Sequence, residues 1–189
     1  MIDITRNINR QIKVYDGDPE LEIKEVFSVE EYGYSVNKIS LGSHMGTHID
    51  FPRHFYKNGK TSSDFTLEYM QGRAVLIEGN SKIIFGKEIF ENYNINKGDI
   101  VIIKNADMGI TIEAVDYLIN KGVKMICTDA MGIEEYEDFR VHKKLLGKDV
   151  LIIENAFLEN AEEGEYNIYV FPLKIDNMDA LPVRAVLTK

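Results

Sequence analysis

The chain has no tryptophan, one cysteine and four prolines among its 189 residues. A single cysteine excludes an internal disulfide framework and any zinc site built from several thiolates. Basic residues number 22 against 31 acidic ones, for a formal net charge of -9. That balance excludes a general nucleic-acid binder, which displaces counterions with a basic face. No stretch approaches the roughly 20 apolar residues that span a bilayer. The start Met1-Ile2-Asp3-Ile4-Thr5-Arg6 lacks the basic segment and apolar run of a secretory signal, so a cytoplasmic protein without a membrane partner is expected. No Gly-x-Gly-x-x-Gly or Walker-type loop is present, and Ser62-Ser63-Asp64 has no nucleophile-elbow context.

What is present is enough for a core: hydrophobic residues make up 44% of the chain, which argues against disorder. The apolar run Lys124-Met125-Ile126-Cys127-Thr128 predicts a buried, inert thiol. In the first third, Leu21 to Val29 and Tyr34 to Leu41 read as strands joined by a turn at Glu30-Glu31-Tyr32-Gly33, with a further turn at Gly17. Ala74 to Glu78, Ile100 to Lys104, Met125 to Thr128, Val150 to Ile153, Tyr166 to Leu173 and Ala180 to Leu187 read as later strands. Lys87 to Tyr93 and Val141 to Leu146 read as short helices. Thr111 to Lys121 places Ile112, Val115, Leu118 and Ile119 at helical spacing. Thr111 serves as its N-cap, Ala114 stands where a capping box would need Glu or Gln, and Gly122 ends the helix. Glu159 to Glu165 reads as a solvated turn around Gly164. The expectation is one α/β domain over residues 1–189, a mixed β-sheet core with a few helices, whose strand order the pattern leaves open.

Histidine is scarce and unevenly placed. Three of the four histidines fall in His44-Met45-Gly46-Thr47-His48-Ile49-Asp50-Phe51-Pro52-Arg53-His54. Imidazole and carboxylate suit borderline divalent ions such as zinc or manganese. His44 and His48 would share a helical face, but Gly46 and Pro52 oppose a helix. A compact turn that gathers His44, His48 and Asp50 is expected instead, with Pro52 stiffening the exit and presenting His54.

The pattern His-x-Gly-Thr-His-x-Asp-x-Pro-x-His resembles the signature of the cyclase-like metal hydrolases, the family of bacterial kynurenine formamidase (arylformamidase) and isatin hydrolase. His44, Gly46, Thr47, His48, Asp50, Pro52 and His54 fill every specified position. The resemblance implies that His44, His48 and Asp50 are metal ligands and that His54 is the catalytic acid/base. It also implies a distal histidine and glutamate. His142 is the remaining histidine, and Glu154 follows the apolar run Val150 to Ile153, where a carboxylate is costly unless a cation meets it. Val14-Tyr15-Asp16-Gly17-Asp18-Pro19 resembles a family turn, aromatic-Pro-Gly-Asp-Pro, whose aromatic residue borders the substrate. Tyr15 takes that place, Asp16 stands where the family has proline, and kynurenine formamidases tend to carry tryptophan where Tyr15 lies. Phe171 to Ile175 and Leu181 to Leu187 resemble the closing strands.

The resemblance implies the family's swivelling β/β/α fold and one or two divalent ions, zinc first and manganese second. It further implies a small-molecule substrate, a homodimer or homotetramer, and metal-assisted hydrolysis of an amide or lactam. A cyclase or dehydratase acting on a related carbonyl compound, and a metal-binding protein without catalysis, remain open as alternatives. The second fits the ligand types less well, because structural zinc sites usually close with four cysteine or histidine ligands.

Overall fold

Short β-branched runs separated by glycine and polar turns make the chain strand-rich. The computed structural model describes residues 1–189. Its elements, in chain order, are β1 (Ile2–Asp3), β2 (Glu22–Phe27), α1 (Val29–Tyr32), β3 (Val36–Ser40), β4 (His48–Asp50), β5 (Gln71–Glu78), α2 (Lys87–Phe90), β6 (Ile100–Lys104), α3 (Ile112–Lys121), β7 (Met125–Thr128), α4 (Arg140–Leu146), β8 (Leu151–Glu154), β9 (Gly164–Pro172) and β10 (Ala180–Thr188).

Eight strands form one mixed sheet in the order β1-β10-β4-β8-β7-β6-β5-β9. Strand β9 pairs with both β5 and β10, so the sheet closes partly into a barrel. The β5–β6–β7–β8 block is parallel, and its strands are buried on both faces, as their continuous apolar runs require. Residues of one parity, among them Leu76, Ile102, Cys127 and Ile153, fill the interior together with Ile49 and Phe51. Residues of the other parity, among them Ile77, Ile103, Ile126 and Ile152, pack under α3 and α4. This is a single α/β domain, as expected.

Helix α3 matches its sequence signals. The Thr111 hydroxyl accepts from the Ala114 N–H, and Gly122 ends the helix in the left-handed region at φ 78°. Elsewhere the structure departs from the pattern. In place of the turn expected over Glu30 to Gly33, Val29–Tyr32 form one helical turn, because the Ser28 hydroxyl caps it and Gly33 stops it. The helix expected over Lys87 to Tyr93 spans only Lys87–Phe90. The turn expected around Gly164 is displaced: Gly164 opens β9, and Ala161 is buried in the core. Gly17 bends a long loop between β1 and β2 at φ 94°. Strand β4 is too short to announce itself by alternation, and β1 is shorter still.

Burial pushes the Cys127 thiol pKa up, and Asp129 adds to the shift. The folded protein is therefore expected to leave Ellman's reagent unreacted at mildly alkaline pH and to react once denatured; rapid labelling in the native state would contradict the burial. Thr111→Ala is expected to cost about 1 kcal/mol of stability through loss of the α3 cap, measurable by urea unfolding.

Candidate metal centre

The signature segment folds as a turn that runs into a strand. Met45 N–H donates to the Gly42 carbonyl at 3.2 Å, and Gly46 takes φ 66°. A Cβ at Gly46 would also approach the Ile8 side chain to 3.0 Å, which explains a glycine between the two histidines. The Thr47 hydroxyl donates to the Asn155 carbonyl and accepts from the Arg6 N–H, both at 2.8 Å. That small side chain ties the turn to the end of β8 and to the N-terminal segment.

From His48 the chain is extended. Period-2 geometry sends His48 and Asp50 to one face and Ile49 to the core. The antiparallel register with β8 then sets His48 opposite Glu154 and Asp50 opposite Ile152. Only this pairing brings Glu154 to the cluster. His142 arrives from α4, whose Val141, Leu145 and Leu146 are buried under the sheet. Pro52 starts a 3₁₀ turn, Pro52–His54, that projects His54 beside His44, with ring centroids 4.2 Å apart. That turn is backed closely by Gly59, where a Cβ would lie 2.5 Å from the Pro52 carbonyl carbon. The compact turn expected from the sequence is thus a turn for His44 and a strand for His48 and Asp50.

The acid and imidazole groups around Asp50 form two nests. His44, His48 and Asp50 make one, and Asp50, His142 and Glu154 make the other. Asp50 is fully buried, and neither of its oxygens has a hydrogen-bond partner; His48 Nε2 is orphaned in the same way. Asp50 Oδ1 lies 3.0 Å from His44 Nδ1 and 3.5 Å from His48 Nε2, while Oδ2 lies 3.8 Å from His142 Nε2. Buried polar atoms without partners are rare and costly, so this carboxylate calls for positive charge beside it.

Hydrogen bonds on the far sides of the rings fix their orientation. A carbonyl can only accept, so His48 Nδ1–H donates to the Gly46 carbonyl at 2.9 Å, and Nε2 is the nitrogen that faces Asp50. His142 Nδ1–H donates to Glu134 Oε1 at 2.9 Å, which turns its Nε2 to Glu154 Oε1, 2.9 Å away. Glu134 also accepts from the His142 backbone N–H at 2.8 Å, supplying the cap that Phe139 does not. Outer carboxylate or carbonyl partners of this kind are what metal-binding imidazoles use.

Charge confirms the demand for positive charge here. Burial alone would lower the His44 pKa; Asp179 and Asp50 outweigh it and raise it to about 10. Burial is likewise overcome at His142, where Glu134 and Glu154 raise the pKa to about 10. Glu154 resists the upward push of burial and is held well below the usual carboxylate range by His142 and His48. In the ion-free protein, protons on histidine supply the charge that a dication would supply.

All six residues expected at the site, His44, His48, Asp50, His54, His142 and Glu154, come together. Tyr15 lies on the wall of the adjoining cavity of about 480 Å³, with Lys13, Phe55 and Phe139. Glu134, Asp179, Phe55 and Phe139 escaped the sequence reading. Glu134 belongs to an acidic run, Glu134-Glu135-Tyr136-Glu137-Asp138, that looks like solvated loop, and the others carry no local signal.

Fold and site define an α/β protein with a centre built for divalent metal. Residues 2–135 match the family model Cyclase, described as "Putative cyclase", and the chain belongs to that family. It is 28% identical to the kynurenine formamidase of Bacillus anthracis over 98% of this chain and 96% of the relative. Among solved structures it resembles "The Structure Of Potential Metal-Dependent Hydrolase With Cyclase Activity" (TM-score 0.83, 30% identity, 98% of this chain and 95% of that one). The fold is also that of isatin hydrolase A from Labrenzia aggregata (TM-score 0.88, 19% identity, 98% and 92%). The chain is a metal-dependent hydrolytic enzyme.

Protons compete with metal at histidines whose pKa is raised, so divalent binding must release them. Cobalt affinity measured by titration is expected to rise steadily from about pH 6 to about pH 8 with measurable proton release. An affinity independent of pH would show that these imidazoles do not ligate.

Proposed function

We propose that this enzyme hydrolyses a carbon–nitrogen bond, amide or lactam, of a small molecule, in the manner of an arylformamidase. The observation that carries the reading is the fully buried Asp50, orphaned on both oxygens between two nests, with His54 beside them but outside the pair of nests that share Asp50. We assign His44, His48 and Asp50 as ligands of one ion and Asp50, His142 and Glu154 as ligands of a second. Zinc is the first choice and manganese the second on donor type, in one or two ions per chain.

When bound, a divalent ion supplies Lewis-acid polarisation of the carbonyl and lowers the pKa of water towards about 7. The chain's own residues do the rest. His54 is exposed, with its ring lining the cavity. It takes the proton of the attacking water and delivers it to the leaving nitrogen as the C–N bond breaks. Phe55 and Phe139, with ring centroids 5.6 Å apart, give the cavity a flat apolar wall suited to an aromatic substrate. Tyr15 sits where a larger aromatic would narrow the cavity, and it places a hydroxyl near the substrate. The chain has no tryptophan, so the substrate set is expected to differ from that of a tryptophan-walled formamidase.

A second reading, cyclase or dehydratase chemistry on a related carbonyl compound, draws on the family description and on the name of the 30%-identical structure. The same base and ion would serve it.

We further propose that residues 1–189 act as one catalytic unit within a homodimer or homotetramer. The support is the β2–β3 hairpin, a separate two-stranded sheet that exposes Ile23, Val26, Val36 and Ile39. An isolated hairpin is marginal in water, and self-association would cover it. Ile39→Lys is expected to lower the sedimenting mass towards that of the 21.6 kDa chain; an unchanged mass would remove the hairpin from the interface.

His54→Ala is expected to lose most turnover, on the order of 100-fold or more, yet keep its metal content. Turnover is assayed on N-formyl aromatic amines and cyclic imides with metal-replete protein. Loss of metal with activity would make His54 a ligand, and hydrolysis of no panel member by the wild type would count against the hydrolase reading in favour of a binding protein.

A further inference from the structure

Asp179 does not lie in the signature or on a strand, yet its carboxylate stands at the rim of the centre. Oδ2 is 3.1 Å from His44 Nε2 and 3.8 Å from His54 Nδ1. The first is a hydrogen bond; the second is an ion-pair distance. One oxygen therefore faces two imidazoles whose rings lie 4.2 Å apart at 43°. An ionised carboxylate only accepts, so His44 donates through Nε2–H, and Nδ1 is the nitrogen that faces Asp50 and would serve an ion in the first nest once its proton is released.

The fold builds this placement deliberately. Asp179 immediately precedes β10, whose Ala180 is opposite Asp50, and its carbonyl accepts from the Phe51 N–H at 2.9 Å. The loop before it is clamped by the Ser62-Ser63 pair. Ser62 N–H donates to the Met178 carbonyl at 3.0 Å. Ser62 Oγ accepts from the Met178 N–H at 3.1 Å and donates to the Ile175 carbonyl at 2.7 Å. Ser63 Oγ accepts from the Asn177 N–H at 3.0 Å. Asn177 is left-handed at φ 61°, a conformation that asparagine tolerates better than most residues.

We propose that Asp179 is a positioning residue, one carboxylate that orients both the ligand His44 and the acid/base His54, with Ser62 and Ser63 as its mount. His48 and His142 obtain the same service from the Gly46 carbonyl and Glu134, so Asp179 completes the set. It differs from the other two in also reaching the proton-transfer residue, and so it sets the metal and the base in one frame. The inference rests on the metal-hydrolase reading and deepens it.

The test uses Asp179→Asn, Asp179→Ala, Asp179→Glu and Ser62→Ala, with Co²⁺ as the probe. Co²⁺ affinity is expected to fall about 10- to 100-fold in the Asn and Ala variants at unchanged stoichiometry, the usual scale for an outer partner of a metal ligand. Asp179→Glu should recover part of that loss. In the zinc-loaded wild type, the His44 Nε2–H proton should be visible by NMR as a slowly exchanging signal, and it should vanish in Asp179→Ala. On any substrate turned over, kcat should fall with KM nearly unchanged. Ser62→Ala keeps the carboxylate but loosens its mount, so it should show a smaller loss in the same direction and carries the test if an Asp179 variant fails to fold. Unchanged Co²⁺ affinity in the folded variants, or a stoichiometry lower by one ion, would overturn the positioning role; the latter would make Asp179 a ligand. A wild type that binds no Co²⁺ would overturn the metal reading itself, and this inference with it.

Discussion

A carboxylate with no hydrogen-bond partner and no exposure, Asp50, is the constraint to which the rest of the structure answers. Isolated in a protein interior, such a group would cost several kcal/mol and would take up a proton instead. Here the surroundings are imidazoles on one side and imidazole with Glu154 on the other. That arrangement is stable only around positive charge. Neighbouring carboxylates overcome burial and raise the pKa of both His44 and His142 to about 10, and a dication held by these groups would answer the same demand for positive charge. The centre is therefore a charge-balancing device as much as a catalytic one.

The architecture serves this by placing the shortest strand of the main sheet after β1, β4, between two longer neighbours. Strand β10 sets the far side of Asp50 through Ala180, and β8 sets Glu154 against His48. A slip of one residue in either pairing would turn His48 and Asp50 to the barrel interior and bring Ile49 out. The buried apolar parity of β7 and β8 resists such a slip, because Cys127 and Ile153 already fill the interior. Helix α4 is short and has no side-chain cap of its own. Glu134 caps its first turn from the preceding loop and aligns His142 in the same act. Stability of the helix and geometry of the ligand are thus one interaction.

The cavity walls have a different origin. Lys13 and Tyr15 come from the long N-terminal loop, Phe55 from the turn after the signature, and Phe139 from the entry to α4. Phe139 sits at φ 55° without being glycine, a conformation that is strained for a bulky side chain and turns its ring towards Phe55 and His142. Loops can vary without disturbing the sheet. His48, Asp50 and Glu154 are placed by strand register, while the cavity walls come from segments that the register does not control.

Much of the centre was legible before any coordinates. Six residues could be named: His44, His48, Asp50 and His54 stood out as a dense cluster in one short segment, and the family resemblance pointed on to the lone His142 and to the glutamate closing the apolar run Val150 to Ile153. The parallel strands and α3 were legible too, since continuous apolar runs and a Thr111–Gly122 frame are local signals. Strand β4 was not, because three residues cannot establish a period. Gly164 was misplaced as a turn because a glycine that opens a strand at a wide φ looks the same in sequence as one that bends a loop. Asp179 and Glu134 were hidden for a deeper reason. Each reaches an imidazole by a hydrogen bond across the fold or from an acidic loop, and nothing in its own neighbourhood distinguishes it from a solvated acid. By itself the sequence, with the family pattern it resembles, determined which imidazoles and carboxylates to look for as a cluster, through their chemistry and local spacing. Only the tertiary structure decided which nitrogen of each ring faces it and which carboxylate stands behind, because those depend on strand register and on contacts between residues far apart in the chain.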